Sequence, residues 1–213
     1  MSDSARRTYL VGQAEMAARP LAPALHLVAT PIGNLGDVTL RALETMAAAD
    51  ILACEDTRVT RTLLSRYGIR QRPVPYHEHN AAEAGPRLVA ALKEGRSVAL
   101  VSDAGTPLVS DPGFRLVESA RQEGIPVVPV PGPSAALAAL TASGLPSDAF
   151  FFAGFLPVKA GARAARLAEL GSVPGTLLFF ESPNRLPDSL AAMAEAYGGR
   201  QAAVCRELTK AFE

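Results

Sequence analysis

The sequence contains no tryptophan, only two cysteines and three histidines, and no excess of charge of either sign. Two isolated cysteines do not form a disulfide framework, so we expect Cys54 and Cys205, which both lie in apolar runs, to be buried thiols in a reducing cytoplasm. The 21 basic and 21 acidic residues cancel, which excludes a global field that would attract nucleic acid or a membrane surface. No apolar run approaches the roughly 20 residues needed to span a bilayer, so no membrane partner is expected.

The charge balance has one local exception, between Thr57 and Pro73, where five arginines occur without an acidic residue. A helix with a C-terminal glycine, Gly68, is predicted for the first part of this stretch. A nucleic-acid partner would have to bind at this basic patch, since the rest of the chain offers no comparable one. The five residues are Arg58, Arg61, Arg66, Arg70 and Arg72.

From Leu25 onward, short apolar strands alternate with amphipathic helices. This order predicts an α/β fold with a parallel-rich sheet and flanking helices in a first domain, residues 25–143. Asp37 is predicted to cap the first of these helices, with Leu40, Leu43 and Met46 on its buried face.

The prolines and glycine around residues 143–147 predict a hinge to a second, smaller α/β domain, residues 148–213. That domain would hold only three strands, the last at Gln201–Cys205, and two helices, so it looks incomplete at its carboxyl end. Residues 1–24 are expected to be a flexible leader, because charges and prolines interrupt every apolar run there.

The segment from Val98 to Gly113 is the most informative in the chain. A short β-branched run, Val98–Val101, predicts a buried strand, and a loop with two Gly, two Pro and two Asp follows it. Open α/β sheets bind ligands at the carboxyl ends of their strands. We therefore predict that Asp103 and Asp111 accept hydrogen bonds at a binding site; the alternative is that Asp103 only organises its own turn.

Four loops should converge at the same edge of the sheet, because each follows a predicted parallel strand. They contain neither a G-x-G-x-x-G fingerprint nor a Walker A sequence, which disfavours a dinucleotide or a nucleoside triphosphate. The loops offer backbone amides, carbonyls and small hydroxyls but few cationic side chains. Such a lining suits a zwitterionic or cationic ligand better than a polyphosphate. The loops are residues 31–37, 55–58, 102–113 and 131–135.

Two histidines two residues apart, His77 and His79, would face one way on a strand, as some metal ligands do. No other histidine or cysteine lies nearby in the sequence, so no metal is expected. Two interpretations of this segment remain: its polar side chains contact substrate at the edge of the cleft, or they are simply exposed to solvent.

Five motifs, in this order, resemble the tetrapyrrole methylase superfamily, the class III S-adenosylmethionine methyltransferases, from about Leu25 to the end. The resemblance implies a two-domain class III methyltransferase fold, S-adenosylmethionine as cofactor and a homodimer. It is strongest with a branch that methylates the ribose 2′-oxygen of a cytidine in 16S ribosomal RNA of the small subunit. The motifs span Ala29–Asp37, Cys54–Arg58, Tyr76–Asn80, Ser102–Gly113 and Phe180–Arg185.

The resemblance also implies which residues contact the cofactor. Thr106 stands where the superfamily has an aspartate, so Asp103 is the nearest carboxylate that could replace it. Val109 belongs to the same loop, and the second domain would supply a wall. With Asp103 added, the predicted cofactor residues are Pro31, Ile32, Gly33, Leu35, Asp103, Gly105, Thr106, Val109, Ser134, Ala135, Phe155 and Leu156.

A ribose hydroxyl is a very weak acid, so the implied reaction needs a base or a nearby cation. The candidates are Lys159, Glu181, His77 and Glu55. The predicted RNA contacts are Arg58, Arg61, Arg66, His79, Asn80 and Arg185. Two other functions stay open: methylation of a tetrapyrrole or another small molecule, and a non-catalytic cofactor-binding module.

Overall fold

In the computed structural model, which describes residues 7–110 and 113–213, the chain divides into two compact units, Met1–Ser134 and Ala135–Glu213. The predicted hinge, residues 143–147, lies beyond this division, since the helix before it groups with the second unit. Asp111, one of the two predicted loop carboxylates, lies outside the described residues.

A β-hairpin occupies part of the segment expected to be a flexible leader. Strands β1 (Thr8–Val11) and β2 (Ala14–Ala17) pair antiparallel, and Tyr9 is only 7% exposed in the core of the first unit. Arg7 donates hydrogen bonds to the carbonyls of Ala48 and Ala49, which end a helix and have no partner within it. The buried ring of Tyr9 and the hydrogen bonds from Arg7 to the end of the helix thus hold this segment in place. Residues 1–6 of the expected leader lie outside the described residues.

The first unit is built around a five-stranded parallel sheet with the strand order β5-β4-β6-β3-β7. The predicted parallel-rich α/β fold is therefore confirmed. The strands are β3 (Leu25–Val28), β4 (Ile51–Cys54), β5 (Val74–Pro75), β6 (Val98–Val101) and β7 (Val127–Val130).

Alternate residues of the central strand β6 enter two separate apolar clusters. Ala99 and Val101 pack in the cluster that holds the first two helices and Tyr9, whereas Val98 and Leu100 pack with the next two helices. Both faces of the sheet are thus covered, as a parallel sheet requires. The helices are α1 (Leu40–Ala48), α2 (Thr57–Arg66), α3 (Ala81–Lys93) and α4 (Phe114–Gln122).

The start of α1 differs from the prediction. Asp37 belongs to a separate short turn, and Thr39 is the cap, because its hydroxyl accepts the backbone N–H of Ala42 at 3.1 Å. Leu40, expected on the buried face, is 60% exposed, whereas Leu43 and Met46 are buried as predicted. The helix starts later than expected, so its first leucine precedes the buried turn.

The second unit contains one parallel strand pair with helices along the chain on either side. The predicted strand at residues 201–205 does not form: this stretch pairs with no strand in the described part of the chain. Cys205 is accordingly exposed rather than buried, while Cys54 is buried as predicted. The elements are α5 (Ala135–Ala142), β8 (Phe150–Phe155), α6 (Ala160–Leu170), β9 (Thr176–Phe180) and α7 (Leu186–Tyr197).

Within the described ranges, no helix is both long and apolar enough to cross a bilayer.

Candidate cofactor and substrate site

The loops after β3 and β6 are joined directly at the carboxyl edge of the sheet. Thr30 and Gly105 exchange two backbone hydrogen bonds, of 2.9 and 3.0 Å. The hydroxyl of Ser102 donates to the carbonyl of Gly105 at 2.7 Å, and that of Thr30 donates to the carbonyl of Ser102 at 3.0 Å. Because these buried hydroxyls satisfy buried carbonyls, the two loops are held in one arrangement.

The loop after β7 joins the same assembly. The hydroxyl of Thr106 donates to the carbonyl of Pro133 at 3.2 Å. Gly105 is buried with φ at +81°, and a Cβ there would lie 3.3 Å from Ile32 Cγ2 and 3.7 Å from the Pro133 carbonyl oxygen. A side chain at this position would be strained and would crowd both neighbouring loops. The backbone of three loops therefore forms a close cradle at this edge.

The predicted cofactor residues of the first unit lie on these three loops. Residues 31–35 follow β3, residues 103–109 follow β6, and Ser134 follows β7, so one edge of one sheet carries them all. Tyr67 fixes the far end of the first loop, because its hydroxyl donates to the Leu35 carbonyl at 2.6 Å. Val109 is 37% exposed at the end of the second loop.

Asp103 also bonds to the loop that follows β4. Its Oδ1 accepts the backbone N–H of Asp56 at 2.9 Å, just before α2 begins. This contact gives Asp103 a structural role, but it joins two loops, whereas the alternative from the sequence had Asp103 organise only its own turn. It uses one carboxylate oxygen, and it brings Asp103 to the start of the arginine-bearing helix.

A hollow of about 430 Å³ opens beside Asp103. It brings together five residues that were predicted separately: two catalytic candidates, two RNA-contacting candidates and one cofactor candidate. The loop after β4, the start of α2 and the segment after β5 form its walls. Its lining residues are Glu55, Asp56, Thr57, Arg58, Pro75, His77, His79 and Asp103.

Arg58 does not present a free guanidinium to this hollow. It forms a two-pronged ion pair with Asp56, whose carboxylate oxygens lie 2.6 to 3.1 Å from Arg58 Nε and Nη2. Asp56 also caps α2 by accepting the Arg58 backbone N–H at 2.8 Å. Hydrogen bonds from the Arg58 side chain lower the pKa of Asp56 from 3.8 to about 2. The pair therefore stays ionised at neutral pH.

The histidine segment is held by Asn80. The Asn80 side chain accepts the backbone N–H of His77 at 2.8 Å and donates to the carbonyl of Pro75 at 2.9 Å. The rings of His77 and His79 meet edge to face, with centroids 6.0 Å apart, and His77 Nδ1 is a buried atom without a hydrogen-bond partner. In the described part of the chain, no three His, Cys, Asp or Glu side chains form a group that could hold a metal ion.

The other arginines of the basic patch lie on the open side of α2 and in the turn after it. Arg61, Arg66, Arg70 and Arg72 are all exposed, whereas Thr60, Leu63 and Leu64 face the core. The guanidinium of Arg66 lies 5.9 Å from the centre of the Tyr67 ring. This helix thus has one apolar buried face and one cationic solvent face.

In the second unit, Phe155 ends β8 and Leu156 and Lys159 follow it before α6. Lys159 is exposed at the start of α6 and makes no side-chain capping bond there. Ala135 opens α5. Glu181, by contrast, is nine-tenths buried and bonded to Arg185 and Ser189. The sequence did not indicate Ser189. A helical serine eight residues after a glutamate does not form a recognisable motif with it.

Comparison with known proteins places these residues in a family. The family model described as Tetrapyrrole (Corrin/Porphyrin) Methylases matches residues 24–213. A curated relative from Mesorhizobium japonicum, named ribosomal RNA small subunit methyltransferase I, is 73% identical over 205 residues, which cover 96% of this chain and 70% of the relative. A relative of the same name from Vibrio cholerae is 52% identical and covers 90% of this chain.

The chain spans 70% and 67% of the length of these two relatives. Among solved structures, a uroporphyrin-III-C-methyltransferase from Thermus thermophilus matches with a TM-score of 0.54 and 26% identity, over 81% of this chain and 71% of that one. The family model, the relatives and the fold agree. The chain belongs to the tetrapyrrole methylase family of S-adenosylmethionine-dependent methyltransferases, in the branch of ribosomal RNA small subunit methyltransferase I.

Proposed function

We propose that this chain transfers a methyl group from S-adenosylmethionine to the ribose 2′-oxygen of a cytidine in 16S ribosomal RNA. One observation carries the proposal: Asp103, on the predicted cofactor loop, is bonded to the residue that caps the arginine-bearing helix α2. The predicted cofactor loop and the predicted RNA-binding helix therefore adjoin in one unit. The names of the relatives supply the identity of the RNA. The resemblance further implies a homodimer that acts on the small subunit in the cytoplasm.

The residues at the carboxyl edge fit this cofactor. Bound there, S-adenosylmethionine would supply a methyl group activated by a positively charged sulfur. The side chains of Asp103 and Glu55 offer negative charge, and the missing Cβ of Gly105 lets the loops after β3, β6 and β7 pack closely into the cradle. In the first unit, the cofactor would be held by the loops of residues 31–35, 103–109 and 131–134.

Positioning is the main contribution that this chain can make to the reaction. Transfer requires the ribose oxygen in line with the bond that breaks, and fixed loops supply that alignment. The bonds among Thr30, Ser102 and Gly105 fix the cofactor side. His77 and Glu55, which line the hollow beside Asp103, are the two catalytic candidates of the first unit that would receive the ribose proton.

The cationic face of α2 would hold the RNA backbone. Arg61 and Arg66 have exposed guanidinium groups that can pair with phosphate oxygens. Arg58 is already paired with Asp56, so we assign it a smaller part in RNA binding. Such contacts position the RNA without reading its sequence, so recognition of the target cytidine would depend on the shape of the subunit around it.

Two measurements test the proposal. Calorimetry measures whether the chain binds S-adenosylmethionine. Transfer of a labelled methyl group to small ribosomal subunits measures whether the chain acts on RNA. Labelling of a corrinoid or porphyrin instead of the subunits would replace the RNA substrate by a small molecule. Binding without any transfer would favour a non-catalytic module.

A further inference from the structure

A buried carboxylate in the second unit has both of its oxygens bonded to groups of the same unit. The side chain of Glu181, just after β9, is 8% exposed. Its Oε1 accepts the backbone N–H of Ser182 at 2.8 Å, and its Oε2 accepts the hydroxyl of Ser189 at 2.6 Å. Nη2 of Arg185 lies 3.4 Å from the same Oε2. Ser189 itself is completely buried on α7.

The same nitrogen of Arg185 also bonds to the loop after β8. Nη2 donates to the carbonyl of Leu156 at 2.6 Å, and the Arg185 side chain is 28% exposed. Leu156 is 3% exposed and is followed three residues later by Lys159. One guanidinium group therefore joins the end of β9 to the segment that continues from the end of β8.

This geometry disfavours a general-base role for Glu181 and limits the donors that Arg185 could offer to RNA. A general base must reach the proton that it removes, but both oxygens of Glu181 are occupied by partners inside the fold. An RNA-contacting arginine needs donors free for phosphate; Arg185 directs its Nη2 at Leu156 and Glu181, so only its other guanidinium nitrogens could serve. A buried charge persists when it is paired and hydrogen-bonded, and these bonds satisfy that condition.

We propose that Glu181, Arg185 and Ser189 are positioning residues that hold the Leu156 carbonyl, and with it the Phe155–Leu156 segment, in place for cofactor binding. Ser189 and Glu181 orient the guanidinium, and the guanidinium fixes the carbonyl. The inference rests on the proposed function, because it takes Phe155 and Leu156 as the cofactor wall that the family resemblance implies. No member of the trio contacts the reacting atoms in this assignment.

The test compares three variants of the whole chain. Arg185→Gln removes the charge and the reach to Leu156, Arg185→Lys keeps a cationic donor, and Thr176→Val is a matched control. Thr176 is buried in the same unit at the opposite end of β9, where its hydroxyl donates to the Pro146 carbonyl at 2.6 Å. The control loses a buried hydrogen bond without touching the trio.

Each variant is measured for its melting temperature, its affinity for S-adenosylhomocysteine and the hydrogen exchange of the amides of Leu156, Val158 and Lys159. We expect Arg185→Gln to weaken binding about tenfold, as loss of one charge-assisted bond would. Arg185→Lys should recover most of the affinity. Thr176→Val should lower the melting temperature with unchanged affinity. Exchange at the amides of Leu156, Val158 and Lys159 should accelerate in Arg185→Gln alone.

Two results separate the inference from the proposed function. If the unaltered chain binds S-adenosylhomocysteine and Arg185→Gln binds it equally well, the positioning role is overturned and the proposed function stands. If the unaltered chain binds no S-adenosylhomocysteine, the proposed function fails and the inference falls with it. If Arg185→Gln and Thr176→Val lose the same affinity and have the same melting temperature, then Glu181, Arg185 and Ser189 have only a structural role.

Discussion

The carboxylate of Asp103 accepts the backbone N–H of Asp56, with 2.9 Å between Oδ1 and the nitrogen, although 47 residues separate them. This bond joins the loop after β6 to the first turn of α2. The predicted cofactor loop and the arginine-bearing helix are thus mechanically connected within one unit. A substitution at Asp103 is therefore expected to affect both ligands of the enzyme.

Asp103→Asn separates the two roles of this side chain. The amide keeps an oxygen that can accept the Asp56 N–H, so the melting temperature should change little. It loses the negative charge, so affinity for the positively charged S-adenosylmethionine should fall by roughly one to two decades. Calorimetry and thermal unfolding measure the two effects. A variant that melts earlier yet binds normally would show that Asp103 serves its turn alone.

Arg61→Ala should reduce the salt dependence of RNA binding more than Arg58→Ala. Each phosphate contact that is lost lowers the slope of log K against log salt by about 0.7 to 0.9. Arg61 has no acidic partner among the described ion pairs, whereas Arg58 is held by Asp56. Filter binding of a small-subunit RNA fragment at several salt concentrations measures the slopes. Equal slopes for both variants would contradict this ranking.

The Asp56–Arg58 pair predicts a specific pH dependence. The pKa of Asp56 is lowered from 3.8 to about 2 in the folded chain, so its stabilisation is complete above pH about 4 and is lost as the pH falls through 2. Arg58→Gln should return the pKa of Asp56 toward 3.8. The stability difference between the two proteins should therefore shrink as the pH falls from 4 to 2.

Carbon-detected NMR titration of the Asp56 carboxyl group gives the pKa directly in both proteins. Thr62→Ala, on the exposed side of the same helix, is a suitable control, because it leaves the pair intact. A pKa for Asp56 near 3.8 in the unaltered chain would show that the ion pair does not persist in solution.

The amino-terminal hairpin should contribute to the stability of the first unit. Tyr9→Ala removes a nearly buried ring from the core and should lower the free energy of unfolding by about 3 kcal/mol. Met16→Ala, on the exposed strand β2, should change it by less than about 0.5 kcal/mol. Urea unfolding measures both values. A Tyr9→Ala chain as stable as Met16→Ala would mean that the hairpin is detached in solution.

Local patterns in the sequence predict the elements of the fold well where packing agrees with them. The apolar run at Val98–Val101 is the observed strand β6. The hairpin was missed because its order depends on a long-range contact, the capping of α1 by Arg7. The stretch at residues 201–205 was overpredicted because strand composition does not supply a partner strand.

The candidate site likewise has features that the sequence predicted and features that it did not. Loop order along the chain placed Gly105, Asp103 and Pro31 at one sheet edge, because parallel strands present their carboxyl ends together. The sequence did not reveal that Arg58 is paired with Asp56 or that Glu181 is buried. A residue type indicates which bonds a side chain can form, whereas the fold determines which partner takes them.

Methylation of small ribosomal subunits tests the central claim most directly. Subunits that lack the modification would be incubated with the chain and methyl-labelled S-adenosylmethionine, and the RNA digested and analysed by mass spectrometry. We expect label in a cytidine nucleoside at the ribose 2′-oxygen. Label confined to a base, or no label in the RNA from a chain that binds the cofactor, would contradict it.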